Sequence, residues 1–172
     1  MNGQYIEVNV DDLKAFNEKL HKLADSDLDE QLAEFLDGAG FEMLRIIEDE
    51  IIRLGAVDTR LLLNSFHKGG QGNIYELNEA DLTLTIGTNV EYAAFVNDGH
   101  WANPQGVEKR FVPGTWTADG KFRYQPGAKT GMVLHQKYIP GKHYLEHAVV
   151  IMERMFPRLL ERKLEQWLND NI

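Results

Sequence analysis

Between Gly99 and Lys142 the chain loses every regular hydrophobic period. Seven glycines (Gly99, Gly106, Gly114, Gly120, Gly127, Gly131, Gly141) and four prolines (Pro104, Pro113, Pro126, Pro140) punctuate this stretch. A long helix does not survive that density of breakers. The regular elements must therefore lie on either side. Helical periodicity comes first, an alternating pair of strands next, then this stretch, then a closing helix. That order predicts an α+β fold and not an alternating α/β one.

The flanking elements have clear signatures. YIEVNV at residues 5 to 10 alternates like a short strand. Asp11 or Asp12 is placed to cap a short helix through Ala24. Residues 28 to 54 carry an apolar stripe that includes Leu32, Leu36, Met43, Ile47 and Ile51, interrupted by Gly38 and Gly40 and stopped by Gly55. Asp58 or Thr59 can cap a helical turn with Leu61, Leu62 and Phe66. NIYELN and DLTLTIGT read as a hairpin, and the strand at 82 to 88 is expected at an edge, open to pairing with another subunit. The last helix runs from about His143 to Asn169, and Pro157 is expected to kink or split it. Short strands are expected near Phe111-Val112 and Phe122-Tyr124. The whole chain, 1–172, reads as a single domain in which 100–141 is a long loop or insertion.

Charge is distributed unevenly. Residues 1 to 50 hold fourteen Asp/Glu against four Lys/Arg, whereas residues 107 to 142 hold seven Lys/Arg against two Asp/Glu. Such asymmetry suits oriented contacts between subunits or attraction of a polyanion; two solvated surfaces of opposite sign are the plainer reading. The chain has no cysteine, so neither disulfides nor thiolate metal sites are available. No apolar run reaches membrane-spanning length, and the N-terminus shows no signal-peptide pattern.

The strongest chemical signal is His143-x-x-Glu146-His147, the H-x-x-E-H order of one class of zinc peptidases. That chemistry needs a third ligand, which in this class lies well downstream; an upstream one, such as Glu91 or Asp98, stays open. The residues after His147 continue as one helix away from the site. A helix start with an acid in its first turn is the preferred reading. No nucleophile elbow, P-loop or dinucleotide fingerprint is present. No cofactor is expected. The basic, aromatic residues of 107 to 142 could stack on nucleic acid, but Trp, Tyr, Phe and Arg are also the usual anchors of protein interfaces. The latter reading is preferred, with Trp101, Arg110, Phe111, Trp116, Arg123 and Tyr124 as the assembly interface.

Three ordered segments carry a family resemblance. Val57, Asp58, Thr59, Leu62 and Ser65 fit a V-D-T-G-x-L-x-x-S stretch, with Arg60 in place of its glycine. Gly87, Tyr92, Ala93 and Gly99 fit a strand with G-x-x-x-x-Y-A-x-x-x-x-x-G, and Pro140, Leu145 and Ala148 fit a Pro-containing segment opening the C-terminal helix. Over roughly residues 28 to 170 the chain resembles the tail-completion or head–tail joining proteins of long-tailed phages and prophages. The resemblance implies a non-enzymatic subunit of the virion neck or tail, made in the host cytoplasm. It implies a ring of copies of itself, a hexamer being the expectation, between portal-side connector proteins and tail-tube proteins, with non-specific proximity to DNA and no membrane partner. The 100–141 segment is then expected to order on assembly. The alternatives are a minor capsid or baseplate part and, from another class, a zinc hydrolase using His143, Glu146 and His147.

Overall fold

Leu32, Leu36, Met43, Ile47 and Ile51 line one face of helix α1 (Asp27–Arg53), and all are almost fully buried. Three- and four-residue spacing makes that face, and it forms the floor of the core. The computed structural model describes residues 4–8, 14, 27–56 and 60–171. Of the helix expected from Asp11 or Asp12 to Ala24, Lys14 alone is among them, and the expected caps Asp58 and Thr59 are not. α1 ends in a Schellman turn. Gly55 takes φ 63, its N–H reaches the Ile52 carbonyl at 3.0 Å, and the Ala56 N–H reaches the Ile51 carbonyl at 2.9 Å.

The chain divides into two compact units, Met1–Asn97 with Lys142–Ile172, and Asp98–Gly141. In the first, strands β1 (Gln4–Val8), β2 (Asn73–Asn78) and β3 (Thr83–Thr88) form an antiparallel sheet in the order β1-β3-β2. β3 is therefore central and not the edge strand that its sequence suggested. Its Ile86 lies opposite both Ile6 and Tyr75, so its backbone is paired on both sides. The alternation of TLTIGT buries Leu84 and Ile86. α1 crosses this sheet closely at Gly40. A Cβ there would collide with the Leu84 side chain and stand 2.5 Å from the Tyr75 hydroxyl, whereas a Cβ at Gly38 would meet nothing within 4 Å.

Helix α2 (Leu61–Ser65) begins at Arg60, which holds φ 64 in the left-handed region. A glycine adopts that conformation without strain, which accounts for the glycine in the motif that Arg60 replaces. Two hydroxyls anchor this turn in the core. Ser65 Oγ donates to the Leu62 carbonyl at 2.7 Å, and Thr88 Oγ1 donates to Ser65 Oγ at 2.7 Å, both residues being fully buried. The Tyr92 hydroxyl accepts the Leu62 N–H at 3.1 Å.

Helix α3 (Ala93–Asp98) delivers Asn97 to the start of the long closing helix α4 (Tyr144–Asn171). The Asn97 carbonyl accepts the His143 N–H at 2.9 Å. Its side-chain oxygen accepts the Leu145 N–H at 3.1 Å, and its amide donates to Glu146 Oε1 at 3.0 Å. Asn97 thus caps a helix from 48 positions away in the chain. α4 remains one element through Pro157 and packs along α1, where Phe35 and Phe156 meet edge to face at 5.4 Å.

The second unit holds strands β4 (Gly99–Trp101), β5 (Lys109–Trp116), β6 (Phe122–Tyr124), β7 (Gly131–His135) and β8 (Tyr138–Pro140). β4 pairs with β8, and β6-β5-β7 form a three-stranded antiparallel ribbon. Aromatic rings lie over glycines. A Cβ at Gly114 would strike the Phe122 ring, and one at Gly131 would strike the Phe111 ring, so these two glycines make room for the rings that hold the strands together.

Two stability experiments follow from this packing. Gly40→Ala is expected to lose about 1–3 kcal/mol despite alanine's better helix propensity, while Gly38→Ala gains about 0.5–1 kcal/mol, both read from denaturant midpoints. Asn97→Ala is expected to lose about 2–3 kcal/mol. It should also speed amide exchange in the first turn of α4, leaving the α1 interior protected.

Candidate functional site

The H-x-x-E-H residues lie where α4 starts. His143 precedes the helix and takes φ 52, so the two imidazoles are not four residues apart on one helical face. Each polar side chain has a local partner. His143 Nδ1 lies 3.8 Å from Glu146 Oε1, Glu146 holds the Asn97 amide, and His147 Nδ1 lies 3.3 Å from Glu50 Oε2 on α1. Among the described residues, no group of three His, Asp or Glu is placed to hold a metal ion. The pattern instead reflects a helix edge. Tyr144, Leu145 and Ala148 turn into the core, and His143, Glu146 and His147 turn out.

Glu50 is the charged side chain this helix pair buries, at 6% exposure. Arg53 grips it with two hydrogen bonds of 2.8 and 2.6 Å. Those bonds, with His147 beside them, hold the Glu50 carboxyl below the usual range against the opposing effect of burial. Its position three residues after Ile47, on an otherwise apolar face, is the sequence signal for a buried acid. A second cluster lies beside Gly40. Tyr75 donates to Asp37 Oδ1 at 2.8 Å, and Lys68 Nζ reaches the same oxygen at 2.9 Å while lying over the Phe41 and Tyr75 rings. Burial raises the Asp37 carboxyl, but the hydrogen bonds from Lys68 and Tyr75 outweigh it and leave the group lowered. Burial, then the bond to Asp37, pushes the Tyr75 hydroxyl strongly up.

All six interface residues read from the sequence fall on strands of the second unit. Trp101 lies on β4, Arg110, Phe111 and Trp116 on β5, and Arg123 and Tyr124 on β6. All six are exposed. Strand alternation separates those on the ribbon. Phe111 and Arg123 share one face with Lys109 and Val133, while Arg110, Trp116 and Tyr124 share the other. Trp101 pairs with Tyr138 in the two-stranded sheet, edge to face at 5.4 Å. Trp116 pairs with Phe122 at 5.3 Å. Val133, Tyr138 and Ile139 are also exposed and fall outside those six, on strands too short and too interrupted to show a period. None of the buried hydrophobic residues among those described lies between 98 and 141. This unit holds its shape through ladder hydrogen bonds and ring contacts, and its apolar surface stays outside.

Buried hydroxyls under a short helix, a tyrosine–alanine junction leading into α3, and an asparagine-capped closing helix together give the three motif segments a structural meaning. The chain belongs to the family whose model, "Bacteriophage HK97-gp10, putative tail-component", matches residues 14–99. It is a structural tail component of a phage or prophage, as the motif segments implied. Among curated proteins it is similar to two from Bacillus subtilis (strain 168). "Phage-like element PBSX protein XkdI" is 40% identical over 156 residues, covering 91% of this chain and 95% of that protein. "Uncharacterized protein YqbI" is 44% identical over 159 residues, with the same coverage, 91% and 95%. Those shares are too large to omit the Asp98–Gly141 unit, although the family model stops at its threshold. No solved structure matches the chain.

The buried carboxylate has a pH consequence. A carboxyl held low in the folded state stabilises the fold above its unfolded pKa, near 4.3. That contribution is lost as pH falls through the lower folded value. Below about pH 4.3 the wild type should therefore lose stability more steeply than Glu50→Gln. Denaturant midpoints of both proteins at pH 7 and pH 3.5 test this; parallel losses would contradict it.

Proposed function

We propose that the chain acts in tail completion, at the junction between head and tail, as one subunit of a closed ring and without catalytic activity. The observation that carries this reading is the second unit. It exposes Trp101, Phe111, Trp116 and Tyr124 while burying no hydrophobic side chain of its own. Exposed aromatic and arginine residues in this density suit a surface that a protein partner covers. Trp101, Arg110, Phe111, Trp116, Arg123 and Tyr124 form the assembly interface in this reading, and the 100–141 segment reaches its final order on assembly. The partners are copies of the chain, six in a ring, with connector or portal-side proteins on one side and tail-tube proteins on the other. The basic residues lie near DNA without reading its sequence. The virion neck is the site of action, after assembly in the host cytoplasm. The relationship to a protein of a phage-like element supports the prophage setting.

Electron microscopy of lysates from the parent phage or prophage with this gene deleted tests the role. Full heads separated from tails, or tails with ill-defined ends, are the expected outcome. Joined, infectious particles would refute a role at the junction.

A further inference from the structure

Helix α1 presents a second surface. Glu30, Glu34, Asp37, Phe41, Arg45 and Glu48 follow one another at three- and four-residue spacing, on the side away from the core stripe. Glu34 and Phe41 are exposed, Phe41 at 49%. Along this stripe run two grooves. One is lined by Glu30, Glu34, Asp37 and Glu79 around Leu77. The other is lined by exposed Phe41 above buried Leu44 and Phe66, together with Arg45, Glu48, His67 and Lys68. The exposed Phe41 ring thus lies between the carboxylates of Glu34 and Glu48 along the helix, with Lys68 over one side of it and Arg45 beside it.

The ribbon of the second unit carries the complementary pattern. On one face Phe111 and Val133 are direct cross-strand neighbours, exposed at 54% and 53%. Lys109 precedes Phe111 on the same face, and Arg123 follows it, opposite Thr115. Asp119 is the only acidic residue between Lys109 and His135. We propose that this ribbon face of one copy seats on the α1 stripe of the next copy. The Phe111–Val133 pair fills the apolar groove at Phe41, Lys109 meets Glu48, and Arg123 meets Glu34.

The spacing supports this register. Along the strand, Lys109 and the Thr115–Arg123 pair stand about 7 and 13 Å to either side of Phe111. Along the helix, Glu48 and Glu34 stand about 10 Å to either side of Phe41. Long basic side chains bridge differences of a few ångström. Each carboxylate has only a weak neighbour, Lys163 at 3.8 Å from Glu34 and His67 at 3.6 Å from Glu48, and Lys163 keeps its 2.8 Å bond to Gln31 when Glu34 changes partner. Donor and receptor patches differ and occur once per chain. The contact is therefore head-to-tail, the kind that closes a ring. The inference rests on the ring reading above and adds its interface.

The test uses the full-length chain and sedimentation. The wild type should assemble beyond a dimer. Lys109→Glu/Arg123→Glu and Glu34→Lys/Glu48→Lys should each raise the concentration needed for assembly on the order of tenfold or more. An equal mixture of the two variants should restore it, because each donor then finds a receptor of opposite sign. All four positions lie on the surface, and unchanged melting curves will show that the fold is intact. The chain has no native cysteine. A mixture of Glu34→Cys and Arg123→Cys chains should therefore crosslink between copies within the oligomer when treated with a bis-maleimide that spans the length of a glutamate–arginine pair. Assembly of wild-type strength in both reversed variants, or an oligomer that forms without that crosslink, would overturn this interface and leave the ring standing. A wild type that stays monomeric at every concentration, or whose ribbon binds duplex DNA and no second copy, would overturn both.

Discussion

Asn97 commits its backbone carbonyl, its side-chain oxygen and its side-chain amide to one end of α4. The first turn of any helix leaves N–H groups without helical partners, and in a buried setting each would be costly. Here the residue that meets them comes from α3, so the start of α4 is set by tertiary structure and not by its own sequence. Much else depends on this point. Once α4 starts there, Tyr144 lies against Phe66, with ring centres 6.0 Å apart, and its hydroxyl reaches the Ala93 carbonyl. The stripe from Leu145 to Met152 then faces the core, and His147 comes within reach of Glu50 on α1. A helix begun one residue later would rotate all of these contacts away by about 100°.

Around α3 the motif residues prove to be joints. Tyr92 holds the start of α2, Ala93 is small enough to sit fully buried beside Tyr144, and Ser65 and Thr88 share a hydroxyl bond under the same turn. Buried polar groups that satisfy one another in this way specify a single arrangement more sharply than apolar packing does. The motif residues therefore serve the fold.

The regular elements were legible because their periods are local. The stripe of α1, the alternation of β3 and the stop at Gly55 each follow from a few adjacent residues. What stayed hidden is non-local. β3 looks like an edge strand until the remote β1 pairs with its outer side, a partnership that spans about eighty residues of sequence. Asn97 reads as part of a turn, because a cap acting across space has no spacing rule. Glu50 could be suspected from its place among isoleucines, but its partner His147 could not. In the second unit, β5 and β6 were legible near Phe111-Val112 and Phe122-Tyr124, while glycines and prolines masked β4, β7 and β8, since the structure uses Gly114 and Gly131 as floors for rings. The aromatic residues of this segment stood out in the sequence, and their separation onto two ribbon faces needed the strand register.

The two ends of the Asp98–Gly141 unit have a consequence for how the protein can change. On the core's side, the Lys142 N–H is bonded to the Val96 carbonyl at 2.8 Å, one rung above the Asn97–His143 bond. The core therefore closes its own doorway, and for its energetics the excursion between these residues counts as a short loop. Lengthening a loop whose ends are already fixed costs little, growing only with the logarithm of its length. The excursion can thus be rebuilt, extended or exchanged without disturbing the helix that follows it. A lineage meeting a new neighbour can refit this appendage and inherit the chassis unchanged.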